Sequence, residues 1–224
     1  MTDSPDFWTF STQVVLPRIG AGFWLTAELT VLAGVMGLVL GLALALARLS
    51  RLAPVRNLAR AYIALFRGTP LLLQISFTYF ALPPLVGVTL DSFPAGVLAL
   101  GLNAGAYFAE ILRAAIESID RGQMEAARAL GMSRALAMRR IILPQTYRRL
   151  IPPIVNELAA LSKDTSLVSV ISLSEALYAT QRLAAAYLRP WEVYGWAALG
   201  YLTIVLVLGG VAARLEARLG ARES

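Results

Sequence analysis

The chain has neither cysteine nor histidine among its 224 residues. Without cysteine, a disulfide framework and a thiolate metal site are both excluded. Without histidine, the chain lacks the commonest metal ligand and the usual proton shuttle at neutral pH. Because no serine–base arrangement is evident either, the sequence predicts no metal centre and no nucleophilic active site.

Lysine is nearly absent as well, since Lys163 is the only one and every other cation is arginine. A P-loop, which holds nucleotide phosphates, needs a glycine-rich run that ends in Lys-Ser or Lys-Thr. Lys163 is followed by Asp164 and has no such glycines before it. We therefore predict that the chain is not an enzyme and holds no cofactor of its own.

Apolar residues are abundant: they make up 58% of the chain, and the mean hydropathy is +0.65. Soluble domains contain about 45–50%. A bilayer core of roughly 30 Å needs about 20 mostly apolar residues in one helix. We therefore predict an all-α, polytopic membrane protein that forms a single domain over residues 1–224. Its five predicted transmembrane helices lie at about 20–47, 60–82, 94–116, 151–172 and 192–213.

The five predicted spans differ in their composition. The first contains Gly37 and Gly41, a Gly-x-x-x-Gly pair that predicts close packing of another helix. The second, third and fourth contain polar residues and prolines, which favours helices that face a protein interior or a cavity.

The net charge of +6 comes from arginines that lie between the apolar runs. They have no interleaved aromatic residues, so we predict a role in membrane orientation and no nucleic-acid partner. Fifteen cations fall in the first gap, the third gap and a C-terminal tail that includes Arg222, while Arg18, Arg182 and Arg189 fall on the other side. The positive-inside rule therefore predicts an outer N-terminus and a cytoplasmic C-terminus in a bacterial inner membrane.

The third gap, residues 117–149, is too charged to cross a membrane, yet good helix formers dominate it. Gly131 interrupts them and Ser133 can cap a helix that starts after it, so we predict two short helices that meet at 131–133. Pro144 is predicted to end the second helix. The chemistry alone leaves two interpretations open: a surface helix resting on the anionic inner leaflet, or a docking helix for a cytoplasmic partner.

One motif in this gap resembles a known family. A Glu-Ala-Ala run is followed after three residues by Gly, and after nine more by Ile-x-Leu-Pro. This pattern resembles the EAA loop of the permease subunits of type I ABC importers. The resemblance implies that the loop forms coupling helices that insert into a cleft of the ATP-binding subunit. The residues that carry it are Glu125, Ala126, Ala127, Gly131, Ile141, Leu143 and Pro144.

Three further runs, at 67–74, 103–113 and 163–167, resemble the polar amino acid uptake branch, which includes histidine, arginine and glutamine permeases. The resemblance implies a permease that works by alternating access with two ATP-binding subunits, which bind ATP and Mg. It also implies a second permease subunit, identical or not, and an extracytoplasmic substrate-binding protein. The implied cargo is a polar amino acid, with basic amino acids as one candidate.

Charged residues within the predicted spans are costly and usually face a cavity or a partner. Glu110 can pair across the bundle with Arg67 or locally with Arg113, and we assign these residues mainly to structural pairing. The sequence does not assign a role in transport to Arg67, Glu110 or Lys163.

Asn103, Glu157 and Asp164 are the candidate substrate-binding residues. At about 1.5 Å of rise per residue, Asn103 and Asp164 fall roughly 14 and 20 Å into their spans, close to the midplane. Glu157 and Asp164 are two helical turns apart and so share a face. The family resemblance implies that these three positions line the translocation pocket, where carboxylates can hold an ammonium or guanidinium group.

Two other functions remain open from the sequence. The same machinery could import opines or another small zwitterion. An ion-coupled secondary carrier would use the intramembrane acids but would leave the segment 117–149 without a role.

Overall fold

The computed structural model describes residues 6–220, and every regular element in this range is a helix. The predicted all-α fold class is therefore confirmed. The two ends of the predicted domain, and Arg222 of the C-terminal tail, lie outside the described residues. In chain order the helices are α1 (Phe7–Arg48), α2 (Ala53–Gly68), α3 (Leu71–Val86), α4 (Ser92–Glu117), α5 (Arg121–Ala129), α6 (Arg134–Ala137), α7 (Leu143–Asp164), α8 (Ala176–Tyr187) and α9 (Pro190–Gly220).

Several of these helices contain or adjoin turns of another helical type. A π-helical turn, Ser11–Val15, lies within α1, and a second, Phe77–Ala81, lies within α3. A third, Met138–Ile142, joins α6 to α7, and α7 continues as a 3₁₀ segment, Thr165–Ile171.

Three helices, α1, α4 and α9, are long and apolar enough to cross a membrane by length and composition. They contain the predicted spans 20–47, 94–116 and 192–213. The pair α2 and α3 meets the same test together, as a broken fourth span bent by 105°. The exact count of five spans stays a prediction.

The second predicted span, 60–82, is not one continuous helix, because the chain turns sharply at Thr69 and Pro70. Proline has no N–H and pushes the residue before it out of the helical region. Thr69 accordingly has extended angles, φ −120° and ψ 149°, and α3 starts immediately after Pro70.

The fourth predicted span, 151–172, also differs from the structure. The α-helix begins at Leu143 and ends at Asp164, and the 3₁₀ segment then continues to Ile171. The predicted stop at Pro144 is wrong, because the helical chain runs through it by way of the π-helical turn. Leu143 N donates to Met138 O, five residues back, and this wider turn accommodates the proline. The helix α8 was not predicted.

The core forms where α1 and α4 run side by side in the same direction. A Cβ at Gly37 would lie 2.8 Å from Ala104 Cβ, and one at Gly41 would lie 2.6 Å from Phe108 Cβ. Only glycine permits this approach, so the predicted close packing at the Gly-x-x-x-Gly pair is confirmed. Buried Leu29, Leu100, Phe108 and Leu161 belong to the main hydrophobic cluster, which joins α1, α4 and α7.

Candidate functional site

The sharp turn between α2 and α3, which we call the corner, is held by polar side chains. A helix end leaves its last carbonyls without partners in the helix. Thr69 Oγ1 donates to Leu65 O at 2.8 Å, and Gln74 Nε2 donates to Phe66 O at 2.9 Å and to Thr69 O at 3.1 Å. The last carbonyl groups of α2 are thus hydrogen-bonded by side chains of the corner itself, and Gln74 donates to them from the first turns of α3.

Asn103 on α4 ties the corner to the core. Its Nδ2 donates to Phe66 O at 3.2 Å and to Gln74 Oε1 at 2.9 Å, and the residue is only 7% exposed. Gln74 was missed by the sequence reasoning. The signal that could have found it was an amide four residues after a proline that breaks an apolar run.

Glu157 and Asp164 both lie on α7 and are both partly buried. They are seven residues apart, two helical turns, and therefore share one face of this helix. Among the described hydrogen bonds, none joins Asn103 to either carboxylate. The structure therefore places the two acids on one face of α7 and leaves Asn103 bound to the corner.

Glu110 joins the ends of three helices. It accepts from Arg48 Nη1 of α1 and, through Oε2, from Arg113 Nη2 of its own helix at 2.8 Å. Arg67 Nη1 of α2 lies 3.7 Å from the same Oε2, and the Arg67 guanidinium lies 5.4 Å from the centre of the Tyr107 ring. The predicted pairs of Glu110 with Arg67 and with Arg113 are both confirmed, whereas Arg48 was missed.

The predicted coupling segment folds as two helices, α5 and α6, with a tight reversal between them that we call the elbow (residues 130–133). Gly131 has φ +82°, a left-handed conformation that favours glycine. Met132 N donates to Ala127 O, which closes the end of α5. Ser133 Oγ accepts from Leu136 N at 3.2 Å, so the predicted cap is confirmed.

The residues of the EAA-like pattern are mostly on the surface. Ala127 is buried and Ile141 is partly buried, while the others are exposed: Glu125, Ala126, Gly131, Leu143 and Pro144. Leu130 at the elbow is 83% exposed, so the elbow presents a large apolar side chain on a polar segment. The segment follows the end of α4 and leads towards α7, and Arg149 Nη1 donates to Ser118 O at 2.5 Å to fix the two ends together.

Residues 37–222 match the family described as binding-protein-dependent transport system inner membrane component, and the chain belongs to this family. The resemblance to ABC importer permeases is therefore confirmed. Members are multi-pass inner-membrane permease subunits and are not enzymes themselves.

Similar chains include three curated permeases. The arginine transport system permease protein ArtQ of Bacillus subtilis (strain 168) is 40% identical over 207 residues, 91% of this chain and 93% of that one. The L-cystine transport system permease protein TcyB of the same strain is 41% identical over 213 residues, 95% and 91% of the two chains. The glutamine transport system permease protein GlnP of Escherichia coli (strain K12) is 39% identical over 205 residues, 91% and 94%.

Solved structures agree with the fold. A crystal structure of an amino acid ABC transporter with histidines superposes with a TM-score of 0.89 at 35% identity, covering 96% of this chain and 99% of that one. The MetNI methionine ABC transporter in an inward-facing conformation has a TM-score of 0.73 at 19% identity, covering 91% and 97%, and shares the fold.

Proposed function

We propose that the chain is the membrane-spanning permease subunit of an ATP-driven importer of polar amino acids. The family match and the relatives that carry arginine, cystine and glutamine support this function. The observation that carries it is the surface formed by α5 and the elbow, where Glu125 of α5 and Leu130 of the elbow are both exposed. A single permease domain, with its N-terminus outside and its C-terminus in the cytoplasm, fits the distribution of arginine.

The proposed machine needs partners that supply energy and substrate. Two ATP-binding subunits, which bind ATP and Mg, would dock on the elbow, and a second permease subunit would complete the pathway. An extracytoplasmic binding protein would deliver the amino acid. The exposed, partly apolar surface of α5 and the elbow supports docking to a protein in preference to a solvated role.

The proposed motion passes from the elbow to the core. The Arg149–Ser118 contact links the two ends of the segment, so a displacement of the elbow moves α4 and α7 together. These two helices carry Asn103 and the pair of carboxylates. Rearranging them relative to the second permease subunit would open the site to one side of the membrane and then to the other, which is alternating access.

Asn103, Glu157 and Asp164 are the residues that we propose to bind substrate. Two partly buried carboxylates on one helix face can hold an ammonium group and a second cationic group. The Nδ2 of Asn103 is used by the corner, which leaves its Oδ1 as an acceptor for an ammonium group. This arrangement favours basic amino acids among the polar ones.

The docking role is tested in the complete transporter reconstituted in vesicles. Glu125→Lys reverses a surface charge, and Gly131→Leu puts a side chain on a left-handed residue, which costs about 1–2 kcal/mol. We expect both to abolish binding-protein-stimulated ATP hydrolysis and uptake while the subunit still inserts. Gln123→Ala, on the same helix but outside the EAA-like pattern, is the control. Full uptake and full stimulation in both variants would show that the elbow is not the docking element.

A further inference from the structure

The three arginines on the predicted outer side do not have the same surroundings. Arg189 Nη2 donates to Glu192 Oε1 at 2.5 Å, and its guanidinium lies 4.4 Å from the centre of the Phe10 ring. Arg18 and Arg182, by contrast, both line one cavity of about 490 Å³ between α1 and α8. One outer cation is therefore neutralised, while two share a cavity.

The lining of this cavity carries no negative charge to balance its two arginines. The residues that line it include no aspartate or glutamate. Arg18 Nη1 donates to the neutral Tyr187 hydroxyl at 3.1 Å, and within residues 6–220 as described Arg182 has no ion pair. Permanent positive charge is disfavoured on this side of the membrane, so two unneutralised guanidinium groups in one cavity indicate an anion.

The cavity is held in a fixed shape by close packing of α1 on the start of α8. A Cβ at Gly22 would lie 2.8 Å from Ala176 Cα, so the two backbones touch. Glu175 is fully buried and accepts from the N–H groups of Leu177 at 2.8 Å and Tyr178 at 2.7 Å, which fixes the first turn of α8. Arg18 and Arg182 therefore project from backbones whose separation is set by the fold.

The remaining lining indicates what kind of anion would fit. Hydroxyl groups of Ser174 and Tyr178 can donate to an oxyanion, while Leu25 and Leu183 are apolar. Trp24, which lies on another face of α1, is 71% exposed, as expected for a residue at the boundary between lipid and water. A guanidinium group can donate two parallel hydrogen bonds to the oxygens of one phosphate. An acyl chain attached to that phosphate would cover the apolar part of the cavity.

We propose that this cavity binds the phosphate headgroup of an anionic phospholipid of the outer leaflet, with Arg18 and Arg182 as its ligands. The bound lipid would join the outer half of α1 to α8, the helix that comes after the 3₁₀ continuation of α7. This lipid site is separate from the proposed cargo site and from the docking surface. It requires only the insertion of the chain in a membrane with α8 on the outer side.

The test is native mass spectrometry of the purified full-length chain with equal amounts of phosphatidylglycerol and phosphatidylcholine. Charge-assisted hydrogen bonds from two guanidinium groups are expected to favour phosphatidylglycerol by about tenfold or more. The double variant Arg18→Gln with Arg182→Gln should retain both lipids equally. The control, Arg51→Gln with Arg121→Gln, removes the same charge elsewhere and should keep the preference.

Other outcomes distinguish the source of the anion. Complete displacement of phosphatidylglycerol by millimolar inorganic phosphate would overturn the lipid assignment in favour of a free anion. Equal retention of the two lipids by the unmodified chain would overturn the proposal, and this measurement does not depend on whether the double variant folds. A preference that survives in the double variant would assign lipid binding to another surface. A preference lost only in that variant, at unchanged thermal stability, supports the proposal.

Discussion

Glu110 is the residue on which the largest number of cations converges in the described part of the chain. It is partly buried, with 17% of its side chain exposed, and Arg48, Arg67 and Arg113 all reach it. A partly buried carboxylate is costly unless it is paired and hydrogen-bonded, and here the three arginines meet that requirement. The cluster therefore ties the C-terminal ends of α1 and α2 to the C-terminal half of α4.

Neutralising this carboxylate should weaken the whole cluster. We expect Glu110→Gln to lower the free energy of unfolding by about 1.5–3 kcal/mol, because hydrogen bonds between charged groups are lost. Glu117→Gln is the matched control, since Glu117 is 62% exposed and, among the described side chains, pairs with Arg113 alone. Unfolding in mixed detergent micelles measures both. An equal, small effect of the two substitutions would show that the convergence on Glu110 contributes little.

Glu157 is the residue whose substitution separates the cargo hypotheses. We expect Glu157→Gln to lower binding-protein-dependent uptake of arginine by about tenfold or more, through loss of a charge-assisted hydrogen bond, and to affect glutamine less. Glu28→Gln is the control, because Glu28 accepts locally from Trp24 Nε1 at 2.6 Å on α1. Parallel uptake assays with the two labelled amino acids provide the measurement. Unchanged arginine uptake would exclude Glu157 as a ligand of the cationic group.

At the scale of single elements, the corner between α2 and α3 is the part that the sequence predicted least well. The apolar run from 60 to 82 has the composition of a span, and hydropathy does not register a change of direction. Pro70 was visible in the sequence, but whether a proline kinks a helix or ends it depends on what satisfies the freed carbonyls. Here Gln74 and Asn103 do so, and Asn103 comes from another helix.

Removing the side-chain amide of Gln74 should destabilise the corner. We expect Gln74→Leu to lower the free energy of unfolding by about 1–3 kcal/mol, because the carbonyl of Thr69 loses its described donors and that of Phe66 keeps only Asn103. Thr203→Val is the control, since the exposed Thr203 hydroxyl donates only within its own helix, to Leu199 O. Thermal unfolding in detergent reports both. Wild-type stability of Gln74→Leu would mean that water satisfies the corner.

The elbow shows the opposite behaviour, because its determinants are local in the chain. Gly131 has a left-handed backbone conformation that favours glycine, and Ser133 caps the helix that begins next to it. Both signals act over three or four residues, so the sequence alone predicted the two helices. Pro144 was misread for a related reason: the π-helical turn before it involves Met138 and Leu143, and nothing in the local composition predicts that turn.

At the scale of the whole molecule, the connection after α3 precedes α4 and the elbow follows it, so the two lie at opposite ends of this long helix. The predicted orientation can be measured directly because the chain has no cysteine of its own. We expect Val88→Cys to be labelled by an impermeant maleimide in intact spheroplasts, and Leu130→Cys only after permeabilisation. The native side chains are 55% and 83% exposed. Labelling of Leu130→Cys from outside would invert the topology and contradict the docking role.

What the sequence by itself determined is what depends on composition and on neighbours in the chain. The all-α class and the elbow follow from apolar length and from residues such as Gly131, while the orientation stays a prediction from the distribution of arginine. What only the tertiary structure decided is where distant segments meet: Arg48 on Glu110, Asn103 on the corner, and Arg18 in one cavity with Arg182. The physical reason is that hydropathy and helix propensity act along the chain, whereas the pairing of partly buried polar groups depends on how helices pack. That packing is set by contacts such as Gly41 against Phe108, which no single run of sequence contains.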